Sequence, residues 1–229
     1  MLSSLVSIII PAYNEEKTVG TVIRGTSEIM DLYGLPYEII VVNDGSTDNT
    51  VQVASSTRKA TVFSNESNRG KGYCLRKALK YAHGDIIVTL DSDGEHKPKE
   101  IPDLLNPLFE GHDIVSGSRF MSNRPGATTK LNQVGNFLFN TAIMTLTGKQ
   151  VTDSQTGFRA MKRGIVEKLD LQSDGYEIET EITVKSLING FCFKEVPITV
   201  ERRKYNMSKL KIISDGKKIL STIIQSSFP

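Results

Sequence analysis

The sequence predicts an α/β fold: a mainly parallel sheet flanked by helices. Three observations carry that expectation. Strand-length apolar runs alternate with helix-like stretches through the first half of the chain. The runs are apolar throughout rather than at every second residue, as strands covered on both faces require. Polar clusters follow the runs directly, and open parallel sheets hold their ligands outside the carboxyl ends of their strands.

LVSIIIP reads as a buried strand stopped by Pro11, followed by a helix over 17–32. EIIVVND is a second strand, with Asp44-Gly45-Ser46 as its turn, and TVFSN is a short third. A helix over 70–83 ends at Gly84, and DIIVTL is the next buried strand. KPKEIPDLLNPLF is a Pro-punctuated helix, and HDIVSGSR is a strand entering a loop. Residues 131–146 are apolar over most helical faces, which suits a buried or membrane-facing helix. DSQTGFRAM is a loop entering a strand-like segment, and EIETEITVKSLINGF is a helix closing at Gly190. CFKEVPITVERR carries Pro197 inside a strand and so belongs at a sheet edge. From Lys211 onward, the apolar spacing gives an amphipathic helix. The 229 residues, 38% hydrophobic, suit one core. We divide them into a main domain over 1–210 and a C-terminal helix over 211–229 that could associate with a membrane.

The net charge of +2 makes no case for nucleic acid, but charge is uneven. Residues 201–218 hold seven Lys or Arg against two acids, a local basic surface. Cys74 and Cys192 lack metal or redox spacing and read as reduced packing residues. No leader pattern and no run of about 18 apolar residues is visible, so the expected location is cytoplasmic, peripheral to a membrane.

In LDSDGEH, the acids Asp91, Asp93 and Glu95 alternate at the end of a buried strand. Such a set can grip one hard cation, Mg²⁺ or Mn²⁺, with substrate phosphates as further ligands. NRGKG, residues 68–72, is glycine-rich and basic at a helix start, where an anion is favoured. There is neither a GxxxxGK[ST] nor a GxGxxG pattern. His83, His96 and His112 are scattered and read as surface residues.

SIIIPAYNEE, VVNDGSTDNT, NRGKG, LDSDGEHKP, SGSRF, DSQTGFRAM and VPITVERRKYNMSKL occur in order and at spacings that resemble the family 2 inverting glycosyltransferases. Within that family they look most like the polyprenyl-phosphate branch, typified by dolichyl-phosphate mannose and glucose synthases. The resemblance spans about residues 5–210 and implies a GT-A fold, a nucleotide-sugar donor and Mg²⁺ or Mn²⁺. By similarity, Pro11, Tyr13, Glu15, Val42 and Asp44 line the base and ribose pocket. Asp91 and Ser92 contact the nucleotide, while Asp93 and Glu95 hold the metal, with Asp91 beside them. Arg119 reaches the diphosphate or acceptor phosphate, Lys130 is the candidate second acceptor contact, and Arg203 and Lys209 close over the diphosphate. Three positions depart from the family pattern: Ser92 within DxD, Glu95 in place of Gln, and Asn206 in place of a glycine whose positive φ Asn tolerates.

The implied reaction is transfer of a hexose, mannose from GDP-mannose first, to a polyprenyl phosphate. A lipid phosphate is already ionised and needs no base, so Asp153 is expected to orient rather than abstract a proton. Reaching the lipid calls for the membrane surface, helped by an anchored partner subunit or a second copy. The rivals are a UDP-glucose-dependent polyprenyl-phosphate transferase, a soluble transferase using Asp153 as base toward a glycan hydroxyl, and a nucleotide-sugar binding module without turnover.

Overall fold

The computed structural model describes residues 4–121, 130–201 and 212–227, apart from the side chains of 130–132, 212–214 and 227. The elements in chain order are β1 (Val6–Ala12), α1 (Val19–Tyr33), β2 (Tyr37–Asn43), α2 (Thr50–Ser56), β3 (Thr61–Ser64), α3 (Lys71–Leu79) and β4 (Ile86–Thr89). A 3₁₀ turn (Pro98–Glu100) then leads into α4 (Ile101–Phe109), β5 (Ile114–Ser118) and α5 (Lys130–Thr147). The chain continues with β6 (Arg159–Lys162), α6 (Arg163–Lys168), α7 (Ile178–Ile188), β7 (Phe193–Pro197) and α8 (Ile212–Ser227).

Among the described residues, seven strands form one sheet in the order β3-β2-β1-β4-β6-β5-β7. All pairings are parallel except those of β6, which runs antiparallel to β4 and β5. That exception matters for function. The carboxyl ends of β1, β2, β4 and β5 share one edge, and a reversed strand brings the loop before it to that same edge. The DSQTGF segment therefore joins the polar ends of the other strands.

Both faces of the sheet are covered, which explains the continuous apolar runs. Ile8 and Ile10 of β1 face a core shared with Ile23 and Met30 of α1 and Leu104 and Leu105 of α4. Ile9, between them, faces the opposite core, with Leu75 of α3 and Ile178 and Ile182 of α7. A third cluster joins Ile143 of α5, Val184 of α7, and Ile219 and Ile223 of α8. The amphipathic C-terminal helix thus packs its buried stripe on the body while Leu220 and Ile224 stay exposed. On α5, Ile143 is buried, but Val134, Phe137, Leu138 and Met144 are exposed.

Several local expectations shift. Pro11 does not stop β1, which runs to Ala12. Ile9 accepts from Leu90 on the β4 side and Ala12 accepts from Asp44 on the β2 side. Pro11 therefore faces the β4 side, beyond the last β1–β4 pair at Ile9 and Thr89, where no ladder needs its missing N–H. Helix α3 is shorter than 70–83. Pro197 lies in the edge strand β7, as expected. Cys74 is buried, but Cys192, just before β7, is exposed and is not a packing residue.

Candidate active site

At the end of β2, the Asp44 carboxylate is gripped by the NRGKG loop. Oδ1 accepts from Asn65 Nδ2 and the Arg69 N–H, and Oδ2 from the Gly70 N–H, all at 2.8 Å. The anion at the start of α3 is therefore the chain's own, which revises the expectation of a ligand-binding loop. Gly70 makes this wrap feasible. Its φ is +101°, and a Cβ there would collide with the Asp174 carbonyl. Burial and the neighbouring Asp44 push the Cys74 thiol up, so it stays neutral below the pocket.

After β1, Glu15 is buried, its N–H donating to Thr50 Oγ1 (2.8 Å) and its carboxylate accepting from Thr18 Oγ1 (3.0 Å). After β4, the DSDGE turn separates its acids. Asp91 Oδ1 lies 2.6 Å from Lys71 Nζ, the first residue of α3. Asp93 Oδ1 accepts the Glu95 N–H at 2.9 Å, closing the turn around Gly94. His96 is not a surface residue: it is buried, stacks on Phe158 at 5.3 Å, and places Nδ1 3.7 Å from Asp91 Oδ2.

After β5, Arg119 forms a fork with Asp153 from the loop before β6. Nε and Nη2 donate to the two carboxylate oxygens at 2.6 and 2.7 Å, and the Arg119 N–H adds a third bond at 3.1 Å. Asp153 is 1% exposed, and Glu195 of β7 accepts from the Thr152 and Asp153 N–H groups. Burial disfavours the Arg119 charge, but Asp153 first, then Glu95 and Asp91, hold its pKa above the usual value. The guanidinium therefore stands in the field of the acidic turn.

Beneath these groups lies a charge network that the sequence did not reveal. Lys71 Nζ also sits 2.8 Å from Glu179 of α7. Burial acts against the Lys71 charge, but Asp91 and Glu179 outweigh it and raise its pKa. Arg159 is wholly buried and donates to the carbonyls of Thr156, Ser154 and Glu179, with Nε 3.3 Å from the Glu179 carboxylate. The one available signal was the acid spacing Glu177, Glu179 and Glu181 at the start of a helix whose Ile178 and Ile182 are apolar.

A pocket of about 600 Å³ opens at this edge. Pro11, Tyr13, Glu15, Asp44, Asp91, Ser92 and Asp93 line it, joined by Lys71 and Tyr176. Val42 is wholly buried in the core beneath. A second cavity of about 360 Å³ lies between α5 and the 150–152 segment, beside Phe120 and Thr152. Arg203, Asn206 and Lys209 lie outside the described residues, as does the side chain of Lys130, which begins α5.

Among the described residues, no three His, Cys, Asp or Glu side chains come together as a ready-made metal cage. Asp93 and Glu95 still offer the hard oxygen donors that Mg²⁺ or Mn²⁺ takes alongside water and phosphate. Asp91 is a poorer ligand than the sequence suggested, because its carboxylate is paired with Lys71.

The family model for Glycosyl transferase family 2 matches residues 7–170. The chain belongs to this family. A UDP-N-acetylglucosamine–dolichyl-phosphate N-acetylglucosaminyltransferase of Methanococcus voltae is 30% identical over 98% of this chain and 96% of its own length. A dolichol-phosphate mannosyltransferase of Pyrococcus furiosus is 31% identical over 90% of this chain, which spans only 59% of that relative. A crystal structure of glucosyl-3-phosphoglycerate synthase from Mycobacterium tuberculosis, in complex with Mn²⁺, uridine diphosphate and phosphoglyceric acid, superimposes with a TM-score of 0.82 at 25% identity. The match covers 98% of this chain and 79% of that one. The family 2 chain has the GT-A fold, with its acidic turn and pocket at the carboxyl edge of the sheet.

Proposed function

We propose that this family 2 transferase moves a hexose, with inversion, from a nucleoside diphosphate sugar to a polyprenyl phosphate. One observation carries the choice of acceptor. Asp153, the group placed to serve as a base, is buried and engaged by three N–H donors of Arg119. A hydroxyl acceptor needs a base to take its proton. A phosphate monoester arrives ionised and needs a cation instead, which the Arg119 guanidinium supplies. The names of the Methanococcus and Pyrococcus relatives support the same acceptor class.

The donor occupies the pocket with its base at the Asp44 end and its diphosphate toward Asp93 and Glu95. Mg²⁺ or Mn²⁺ held by Asp93 and Glu95 would neutralise charge on the departing diphosphate. The protein's own part is positioning and fixed electrostatics: Arg119, held rigid by Asp153, meets the incoming phosphate on the side away from the leaving group. Arg203 and Lys209 would add positive charge over the diphosphate, and Lys130 at the acceptor.

Among the described residues, no helix is long and apolar enough to cross a membrane. The exposed Phe137, Leu138 and Met144 of α5, and Leu220 and Ile224 beside Lys217 and Lys218 of α8, suit the surface of an anionic bilayer at its cytoplasmic face. An anchored partner or a second copy would reinforce that placement.

The test is transfer from labelled GDP-mannose, UDP-N-acetylglucosamine and UDP-glucose to polyprenyl phosphate, with the matching polyprenol and a free glycan as controls. GDP-mannose is the first donor to try. Label is expected in the organic phase only with the phosphate. Label passing to polyprenol or glycan hydroxyls overturns the acceptor assignment.

A further inference from the structure

We propose that Lys71 is a positioning residue for donor binding, fixing the Asp91 carboxylate at the pocket wall while Glu179 anchors the ammonium from behind. This rests on the reading of the 600 Å³ cavity as the nucleotide-sugar pocket.

The placement of Lys71 is unusual for its local structure. It is the first residue of α3, where the helix dipole disfavours a cation. Its side chain is nonetheless mostly buried, with Asp91 at 2.6 Å and Glu179 at 2.8 Å. The surroundings are built to keep the pair in place. A Cβ on Gly157 would collide with the Lys71 ammonium and stand 2.8 Å from an Asp91 oxygen, so the bare backbone makes room for both. The Gly157 carbonyl is itself pinned by Thr89 Oγ1 at 2.7 Å. Glu179 is held by the buried Arg159, whose guanidinium also ties α7 to the loop before β6.

One ammonium thus joins two segments that both contribute to the pocket lining. Asp91 belongs to the turn after β4. Glu179 belongs to α7, and Gly175 and Tyr176 just before that helix also line the pocket. Without the ammonium, two carboxylates would face each other across its place, and Asp91 would turn away from Glu179 toward the metal-binding end of the pocket. The consequence falls first on donor binding, because the Lys71 ammonium pairs with Asp91 and Glu179 rather than with the Arg119–Asp153 fork. A merely structural lysine would lower stability without distinguishing donor from acceptor.

The experiment is a double-mutant cycle on the full chain, Lys71→Met with Asp91→Asn, read by calorimetric titration of UDP and, separately, GDP in Mn²⁺. For whichever nucleotide the wild type binds, each single variant is expected to weaken binding about 30-fold, and the double variant no more than the weaker single. In transfer assays, Lys71→Met should raise the donor KM by a similar factor, with the acceptor KM unchanged. Lys71→Arg keeps the charge and should recover binding to within about tenfold of wild type. If Lys71→Met does not fold, the same cycle is run with Lys71→Arg, whose effect must vanish when Asp91→Asn is present. Additive losses in either cycle overturn the proposal. A wild type that binds neither nucleotide overturns the pocket reading itself.

Discussion

Asp93→Ala abolishes measurable transfer while the protein stays folded. The side chain sits on a turn at the rim of the sheet, not in the apolar core. Its Oδ1 closes that turn through the Glu95 N–H, a bond worth about 1 kcal/mol. In a domain of this size that amounts to a melting shift of only a few degrees. Activity depends on the carboxylate far more strongly. With Asp91 paired to Lys71, Asp93 is the acid of this turn best placed to hold a divalent ion against the diphosphate. Losing it should cost at least about a thousandfold in kcat/KM, some 4 kcal/mol of transition-state stabilisation. Asp93→Asn keeps the shape and should fail equally. Circular dichroism melting beside the transfer assay checks both halves. Metal-dependent activity above about a tenth of wild type in a folded Asp93→Ala protein would refute the site assignment.

Arg119→Ala is expected to damage stability and activity together. It leaves the Asp153 carboxylate buried without its fork, a loss that costs about 3–5 kcal/mol when one partner of a buried pair is removed. The melting temperature should fall by about 10 °C. Removing both partners, Arg119→Leu with Asp153→Leu, should restore most of the stability and none of the transfer, separating the structural role from the electrostatic one. Arg119→Lys keeps a charge but not the two-pronged geometry, and should recover only part of either. The same pairing changes how Asp153→Asn is read. A large activity loss in that variant no longer identifies a general base, because Arg119 loses its anchor as well. Near-normal turnover would still exclude a base at that position.

The strands, their parallel arrangement and the polar groups at their ends were legible because each is a local pattern. A run buried on both faces must be apolar throughout, and the residue where it turns polar marks the sheet edge. Asp44, Asp91, Asp93 and Arg119 declared themselves in that way, whereas Asp153 came only from the family resemblance. What escaped depends on pairing across the chain. Lys71 meets Glu179 more than a hundred residues away, and Arg159 is buried because α7 supplies its acceptors. His96 lies one residue beyond an exposed-looking acidic turn, and only the approach of Phe158 buries it. Val42, named for the pocket by similarity, is wholly buried beside Ile40 and Cys74 on the face of β2 that leads to Asp44. The reversal of β6 has no local signal, yet it brings Asp153 to the site.

The most direct test is a crystal structure with a nucleoside diphosphate and Mn²⁺, using anomalous scattering to locate the metal. The account predicts one peak roughly 2.1 Å from an Asp93 carboxylate oxygen and in contact with the diphosphate, with Asp91 still against Lys71. A metal bound away from the Asp93 turn, or a nucleotide outside the pocket between Asp44 and Asp93, would contradict it.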